Sequence, residues 1–453
     1  MDSTREWAEK EDLADPLSAF REEFLLPDGV IQLNGNSLGP LPRAVPGALD
    51  DAVRRQWGAH LIRGWSEDGW WDAPVRVGDR IGRLIGAGPG QTVVGDTTSS
   101  QLFNALTAAA RLVPDRRVLV CDAGNFPTDR YVAASVARVL DLRLVEAPMS
   151  DLAGVLARHR GEVGAVLCGA VDFRTGELWD VARTTADVHA AGGVAVWDLS
   201  HATGAVPVAV DDAGVDLAVG CGYKYLCGGP GAPAHLYAAA RHHGALDLPL
   251  TGWHGHVRPF DMADAFVPAP GVDRARTGTP HVLSLLALEA ALAPLEAAGA
   301  AAVRRKSLKL GDYLVRLLAD LRDADDAPAA ARELAVVTPS APGRRGNHLT
   351  LRHPEAPAVA AALGERGVVS DARPPDLLRW CLNGLYVSHT DVFDAVAALR
   401  DVLAERPAAA GPTAPRAAEP RTAAPGTAVP RTAPPRTAPP GTGSADGGRE
   451  VAA

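Results

Sequence analysis

Residues 214–233 read GVDLAVGCGYKYLCGGPGAP, and the fold turns on how this stretch is parsed. Asp216 to Cys221 is a short apolar run that suits a strand buried on both faces. The glycine-rich CGGPG at Cys227 to Gly231 then interrupts regular structure. Between the two stands Lys224, an amine at a strand end beside pliable backbone. Its rarity adds weight. Of 45 basic residues only Lys10, Lys224, Lys306 and Lys309 are lysines, and a guanidinium cannot shed its proton to become a nucleophilic amine. The plain alternative is an exposed, charged surface lysine.

Working outward, apolar runs alternate with amphipathic segments between about Gln91 and Tyr237. Val118 to Cys121, Leu142 to Glu146, Val163 to Gly169 and Val194 to Asp198 read as further buried strands, with helical patterns at Leu152 to Arg160 and Val181 to Ala191. That rhythm predicts a parallel α/β sheet with crossover helices, whose ligand sits beyond the carboxyl ends of the strands. From about Ala301 the pattern changes to helix, strand (His348 to Leu351), helix (Ala356 to Gly367) and a last helix near Asp391 to Leu403. The expected organisation is an N-terminal segment (1–60) packed with the small domain, a large domain (61–300), a small C-terminal domain (301–406) and a Pro/Ala/Thr-rich tail (407–453). The tail's repeated prolines cannot build a core, so disorder is expected there.

With 47% hydrophobic and 22% charged residues the chain has ample material for a core, and its formal charge of -9 argues against nucleic acid as a partner. The polar, acidic start MDSTREWAEKEDLADP lacks the features of a secretory signal, and the apolar stretch Leu285 to Val303 is broken by Glu289 and Glu296. A cytoplasmic protein with no membrane partner is expected. Cys121, Cys168, Cys221, Cys227 and Cys381 contain no C-x-x-C pair, which predicts reduced thiols and no thiolate metal site. His242, His243, His254 and His256 lack a convincing further ligand, so no metal is expected.

Three more segments can carry chemistry. Asp198 ends the strand GGVAVWD, with His201 three residues on. A carboxylate there could hold a proton on a pyridine nitrogen, which suits pyridoxal 5′-phosphate (PLP) bound to Lys224. A satisfied structural histidine is an equal reading of His201. The hydroxyl run Thr97 to Ser100 precedes a helix, so Thr98 and Ser99 could seat a phosphate, or the run could be an ordinary cap. In NFPTDRY (Asn125 to Tyr131), Phe126 offers a stacking face and Asp129 a polar contact, although core packing is the usual role of such a phenylalanine. Arg379 in PDLLRW could clamp a carboxylate through its planar fork.

Together these segments resemble the kynureninase family, of fold-type I PLP-dependent enzymes related to the class V aminotransferases, from about Leu33 to Leu403. The resemblance rests on LNGNSLGPLP (33–42), LIRGWSEDGWWD (61–72), GDTTS, NFPTD, WDLSHATGAVPV, the opening stretch, TGWHGH (251–256), RTGTP (276–280) and RGVVSDARPPDLLRW (366–380). It implies an α/β fold-type I architecture, with a mostly parallel sheet flanked by helices in the large domain and a smaller α+β domain. It also implies cleavage of L-kynurenine, or its 3-hydroxy relative, between Cβ and Cγ to anthranilate (or 3-hydroxyanthranilate) and L-alanine, in tryptophan catabolism. Lys224 would hold PLP as a Schiff base and move the α-proton, Asp198 would pair the ring nitrogen, and Tyr223 would relay a proton. Thr98, Ser99 and Tyr223 would hold the phosphate, with Trp253 and Thr279 lining it from the partner of a homodimer. Phe126, Asp129 and His201 would contact the ring, Arg379 the substrate carboxylate, and Trp65 its aryl end. WCLNGLYVSH (380–389) departs from the family's aromatic–glycine pattern, leaving a ring-substituted kynurenine open. Another fold-type I lyase, of the cysteine desulfurase or β-elimination kind, is the alternative enzyme.

Overall fold

The computed structural model describes residues 3–406, so the expected tail at 407–453 lies outside the described residues. Seven strands form the principal sheet: β1 (Thr92–Gly95), β2 (Val118–Asp122), β3 (Arg143–Ala147), β4 (Val163–Gly169), β5 (Val194–Asp198), β6 (Leu217–Gly220) and β7 (Ala234–Ala238). Their order is β1-β7-β6-β5-β4-β2-β3. Neighbours from β6 across to β3 are parallel, while β7 is antiparallel to both β1 and β6. The five strands expected from apolar runs occur within one residue of their expected ends. β1 and β7 were not anticipated.

Residue alternation explains why this sheet is covered on both sides. Val118, Val120, Val166, Ala195 and Trp197 join one buried cluster, while Leu119, Cys121, Leu167, Val194 and Val196 join another. A period of two puts neighbouring side chains on opposite faces, so continuous apolar strands need helices on both. Helices α1 (Thr98–Leu112) and α2 (Pro127–Val139) cover one face, where Leu102, Leu106, Ala133 and Val136 are buried. Leu152–Arg158 and Val181–Ala190 cover the other through Leu152, Val155 and Val188.

A second, four-stranded antiparallel sheet holds β8 (Ala335–Val336), β9 (His348–Arg352), β10 (Asp371–Arg373) and β11 (Leu377–Cys381), in the order β8-β9-β11-β10. It packs with α3 (Ala300–Asp323) and α4 (His389–Ala404) around Leu310, Leu314, Leu351, Trp380 and Leu399. The N-terminal segment contributes Ala8, Leu17, Phe24 and Leu33 to this same cluster, and Ile31–Gln32 pairs in parallel with Val368–Val369. The described residues form one compact unit.

The apolar stretch near Leu285 is broken into Val282–Ala291, Ala293–Ala298 and the start of α3, with Leu285, Leu288, Leu292 and Leu295 buried in the core. Gly299, at φ +77°, makes the break before α3. No single described helix is long and apolar enough to cross a membrane; one pair, Val282–Ala298 with Ala300–Asp323, reaches that length only by bending through 76°.

Candidate active site

The carboxyl ends of β4, β5 and β6 open onto a cavity of about 260 Å³. Lys224 reaches it from the loop after β6. Asp198, the last residue of β5, reaches it beside the turn that carries Ser200 and His201, and Asp198 Oδ1 accepts the Ser200 N–H at 2.8 Å. The Lys224 amine stands 3.0 Å from His201 Nε2 and 5.9 Å from the centre of the Tyr223 ring.

Close backbone packing fixes this loop. The Gly39 N–H donates to the Tyr223 carbonyl at 2.9 Å, and a Cβ on Gly39 would lie 2.3 Å from the Lys224 carbonyl oxygen. Only glycine lets the LNGNSLGPLP segment approach so closely.

Asp129 enters from the first turn of α2 and is buried against the Asp198 carboxylate. Burial and the Asp198 charge push the Asp129 carboxyl well above the usual carboxylate range, against the pull of Lys224. Two acids this close do not both ionise readily, so Asp129 holds the proton. His201 moves the other way. Burial, reinforced by the Lys224 and Arg379 charges, drives its imidazole far toward the neutral form.

Thr98 and Ser99 line the cavity at the start of α1. The cap reading is observed: Thr97 caps the helix, its Oγ1 accepting the Ser100 N–H at 3.2 Å, and the amides of Thr98 and Ser99 belong to the first turn that has no intrahelical acceptor. Phe126 is not a core residue. It is 42% exposed, caps α2, and meets Phe173 edge-on at 5.2 Å.

Arg379 lies on β11 at the far wall, its side chain 1% exposed. Its Nε donates to Asp371 Oδ1 at 2.7 Å, Nη1 to the Phe173 carbonyl at 2.6 Å and Nη2 to Ser37 Oγ at 3.0 Å, with a further Nη2 bond to Asp371 Oδ2. The fork is therefore already engaged within the protein. The divergent stretch after Arg379 lies behind it: Trp380, Cys381, Leu382 and Asn383 are buried and none lines the cavity.

Trp65, Trp253 and Thr279 are not brought to this cavity within the chain. Trp65 and Trp253 meet at 6.0 Å in an aromatic cluster with Trp71 and His254, and Thr279 borders a separate small recess with Asp96 and Arg276. Residues not singled out from sequence, Asn36, Ser37, Asn125, Phe173 and Arg373, do line the cavity. Asn36, Ser37, Asn125 and Arg373 fall within segments that carry the family resemblance, which was the available signal; Phe173 carried none.

The donor set suits a phosphorylated pyridine aldehyde. A nucleophilic amine, a carboxylate at a strand end, an unpartnered buried carboxyl oxygen on Asp129 and the free first turn of a helix converge on one cavity. Fold and site together define a fold-type I, PLP-dependent enzyme of the class V aminotransferase kind. The class V aminotransferase family model matches residues 77–341, and the kynureninase C-terminal domain matches 303–399. Solved structures with this fold include a C-DES variant with glycine covalently linked to its PLP cofactor (TM-score 0.73, 16% identity, covering 84% of this chain and 99% of that one). Another is the cysteine desulfurase of Thermococcus onnurineus NA1 (TM-score 0.72, 17% identity, 86% and 98%). Kynureninase of Deinococcus radiodurans is 47% identical over 400 residues, covering 87% of this chain and 95% of its own length, and that of Burkholderia pseudomallei 42% over 408 residues, covering 88% and 95%. The chain belongs to the kynureninase family.

Proposed function

We propose that this protein hydrolyses L-kynurenine, or its 3-hydroxy relative, to anthranilate or 3-hydroxyanthranilate and L-alanine. The Cβ–Cγ bond breaks, the hydroxyl of water ends on the aryl ketone carbon, and Cβ gains a proton. The observation that carries this reading is the meeting of Lys224, Asp198 and Arg379 around one cavity in a chain of this family.

Bound there, PLP would supply an electron sink for a carbanion at the substrate's α-carbon. Lys224 would be the point of attachment, and its amine the base that moves the α-proton. Asp198 holds a proton on the ring nitrogen, with Asp129 beside it in its protonated form. Thr98, Ser99 and Tyr223 hold the phosphate, the α1 dipole adding to them. Phe126 and His201 would contact the ring, with His201 Nε2 3.0 Å from the Lys224 amine. Tyr223 relays a proton, and Arg379 faces the substrate's carboxylate.

A homodimer completes the site in this reading. Trp65, Trp253 and Thr279 lie outside the chain's own cavity, and Trp253 meets the exposed Phe260 at 6.3 Å. These are features of a face that meets a second copy, whose site would receive Trp253 and Thr279. The five unpaired cysteines agree with a reducing, cytoplasmic setting, and the activity would serve tryptophan catabolism.

A cysteine desulfurase-like lyase needs a thiol that can reach the substrate, and all five cysteines are buried. Residues 380–383, where the sequence departs from the family pattern, pack away from the cavity and so do not support a substrate beyond these two. The test is to mix purified protein and PLP with L-kynurenine or 3-hydroxykynurenine and follow both the aromatic amine and alanine. Turnover yielding the two in equal amounts is expected; no cleavage of either compound overturns the reading.

A further inference from the structure

A charge count at the far wall of the cavity points to a second residue for substrate binding, and the inference rests on the kynurenine reading above. Asp371 and Arg379 are directly opposed across the antiparallel pair β10–β11. Asp371 takes Arg379 Nε at 2.7 Å and Nη2 through its other oxygen, and also accepts Ser37 Oγ at 2.5 Å. One carboxylate therefore cancels the Arg379 charge. Of the five N–H groups on that guanidinium, four are given to Asp371, Phe173 and Ser37, so Arg379 cannot offer a two-pronged grip to an incoming carboxylate.

Arg373 stands two residues beyond Asp371 on β10, which places both side chains on the same face of the strand. It also lines the cavity, with its side chain 35% exposed. Its protein contacts are sparse: Nη2 lies 3.1 Å from Asp371 Oδ2, and Nη1 reaches the Ala372 carbonyl only at 3.4 Å. Asp371 already balances Arg379, so the group of three carries one net positive charge, and the donors still open belong mainly to Arg373. Burial and the Arg379 charge lower the Arg373 pKa, the mark of a cation short of counter-charge.

We infer that Arg373 is the second, charge-bearing arm of the subsite for the substrate's α-carboxylate, with Asp371 holding the two guanidinium groups in register. Arg379 supplies its one remaining N–H and Arg373 supplies the fork and the uncompensated charge. Recognition then depends on a free carboxylate next to the α-amine.

The test uses the PLP-loaded protein and the variants Arg373→Gln and Arg373→Lys. Steady-state kinetics with L-kynurenine are paired with calorimetric binding of L-alanine and of L-alaninamide, which lacks the carboxylate charge. Arg373→Gln is expected to raise KM roughly ten- to hundredfold, the range for loss of a charged hydrogen-bonding partner, with kcat changed far less. L-Alanine should lose affinity by a similar factor while L-alaninamide is unaffected, and Arg373→Lys should recover part of the loss. Equal losses for both ligands, or an unchanged KM in Arg373→Gln, overturn the assignment while leaving kynurenine cleavage intact. Should Arg373→Gln not fold, Arg373→Lys decides alone: weaker L-alanine binding with unaltered L-alaninamide binding upholds the inference, and any other pattern rejects it. Failure of the unaltered protein to cleave kynurenine would instead remove the functional reading beneath it.

Discussion

The amine of Lys224 stands 3.0 Å from Nε2 of His201, an imidazole that burial and the neighbouring Lys224 and Arg379 charges keep neutral. A cationic ring in that position would repel the amine; a neutral one can exchange a hydrogen bond with it. His201 is therefore expected not to titrate between about pH 5 and 8, where an ordinary histidine would. NMR of ring-labelled protein checks this, and a His201 signal moving through that interval contradicts it.

Replacing Lys224 by alanine removes the amine while leaving the surrounding carboxylates. Turnover of kynurenine should fall by at least about 10²- to 10⁴-fold, the contribution of a positioned proton-transfer group, with the covalent hold on PLP lost as well. The visible absorbance of the cofactor adduct should vanish with it. A Lys224→Ala protein that retains both absorbance and activity excludes the lysine from the reaction.

Much of this arrangement was legible in the sequence, for identifiable reasons. The parallel strands were readable because they are buried on both faces and so are written as unbroken apolar runs, as at Val163–Gly169. β7 escaped because its five residues include His235, which is fully buried against Thr203 Oγ1 at 3.2 Å and breaks the apolar signature. Lys224 stood out through rarity and its place at a strand end. The pairing of Asp371 with Arg379 did not, because residues eight apart meet only once β10 and β11 are in register. The segregation of Trp65 and Trp253 into a separate cluster likewise depends on segments nearly two hundred residues apart.

Gly39 is expected to tolerate no side chain. A Cβ there would sit 2.3 Å from the Lys224 carbonyl oxygen and 2.6 Å from Cys227 Sγ, both in the loop that carries the Lys224 amine. Gly39→Ala should destabilise the protein by about 1–3 kcal/mol, as overpacking does, and lower activity by shifting Lys224. Thermal unfolding and kinetics test the two effects separately, and a variant matching the original in both refutes the close approach.

Asp12 ties the N-terminal helix, Arg5–Ala14, to the start of α4. It accepts the His389 and Thr390 backbone N–H groups at 2.7 and 2.9 Å, as well as both their side chains. Burial opposes its ionisation, yet these bonds bring the carboxyl down to about 2. Its folded pKa lies below the unfolded value of about 3.9, so the stabilisation is present above pH ~4 and disappears as pH falls toward about 2. Asp12→Ala should cost about 1–2 kcal/mol near neutrality, allowing for solvent screening of a partly exposed group, and should flatten the acid limb of stability. Denaturant titrations at pH 7 and below pH 3 would reveal an equal loss at both if the carboxylate plays no such part.

The aromatic cluster around Trp71 and Trp253 lies outside the cavity. Phe260, 72% exposed, meets the Trp71 and Trp253 rings at 5.4 and 6.3 Å, Met262 two residues on is 79% exposed, and exposed apolar surface of this kind favours association. If a second copy covers it and receives Trp253 and Thr279 at its own cavity, then separating the copies must remove activity without disturbing Lys224 or Asp198. Phe260→Asp combined with Met262→Asp should give a folded monomer by light scattering, with unchanged helical content and a large loss of turnover. Full activity in a demonstrated monomer would mean that each chain's cavity is sufficient by itself, and Trp253 and Thr279 would then need another explanation.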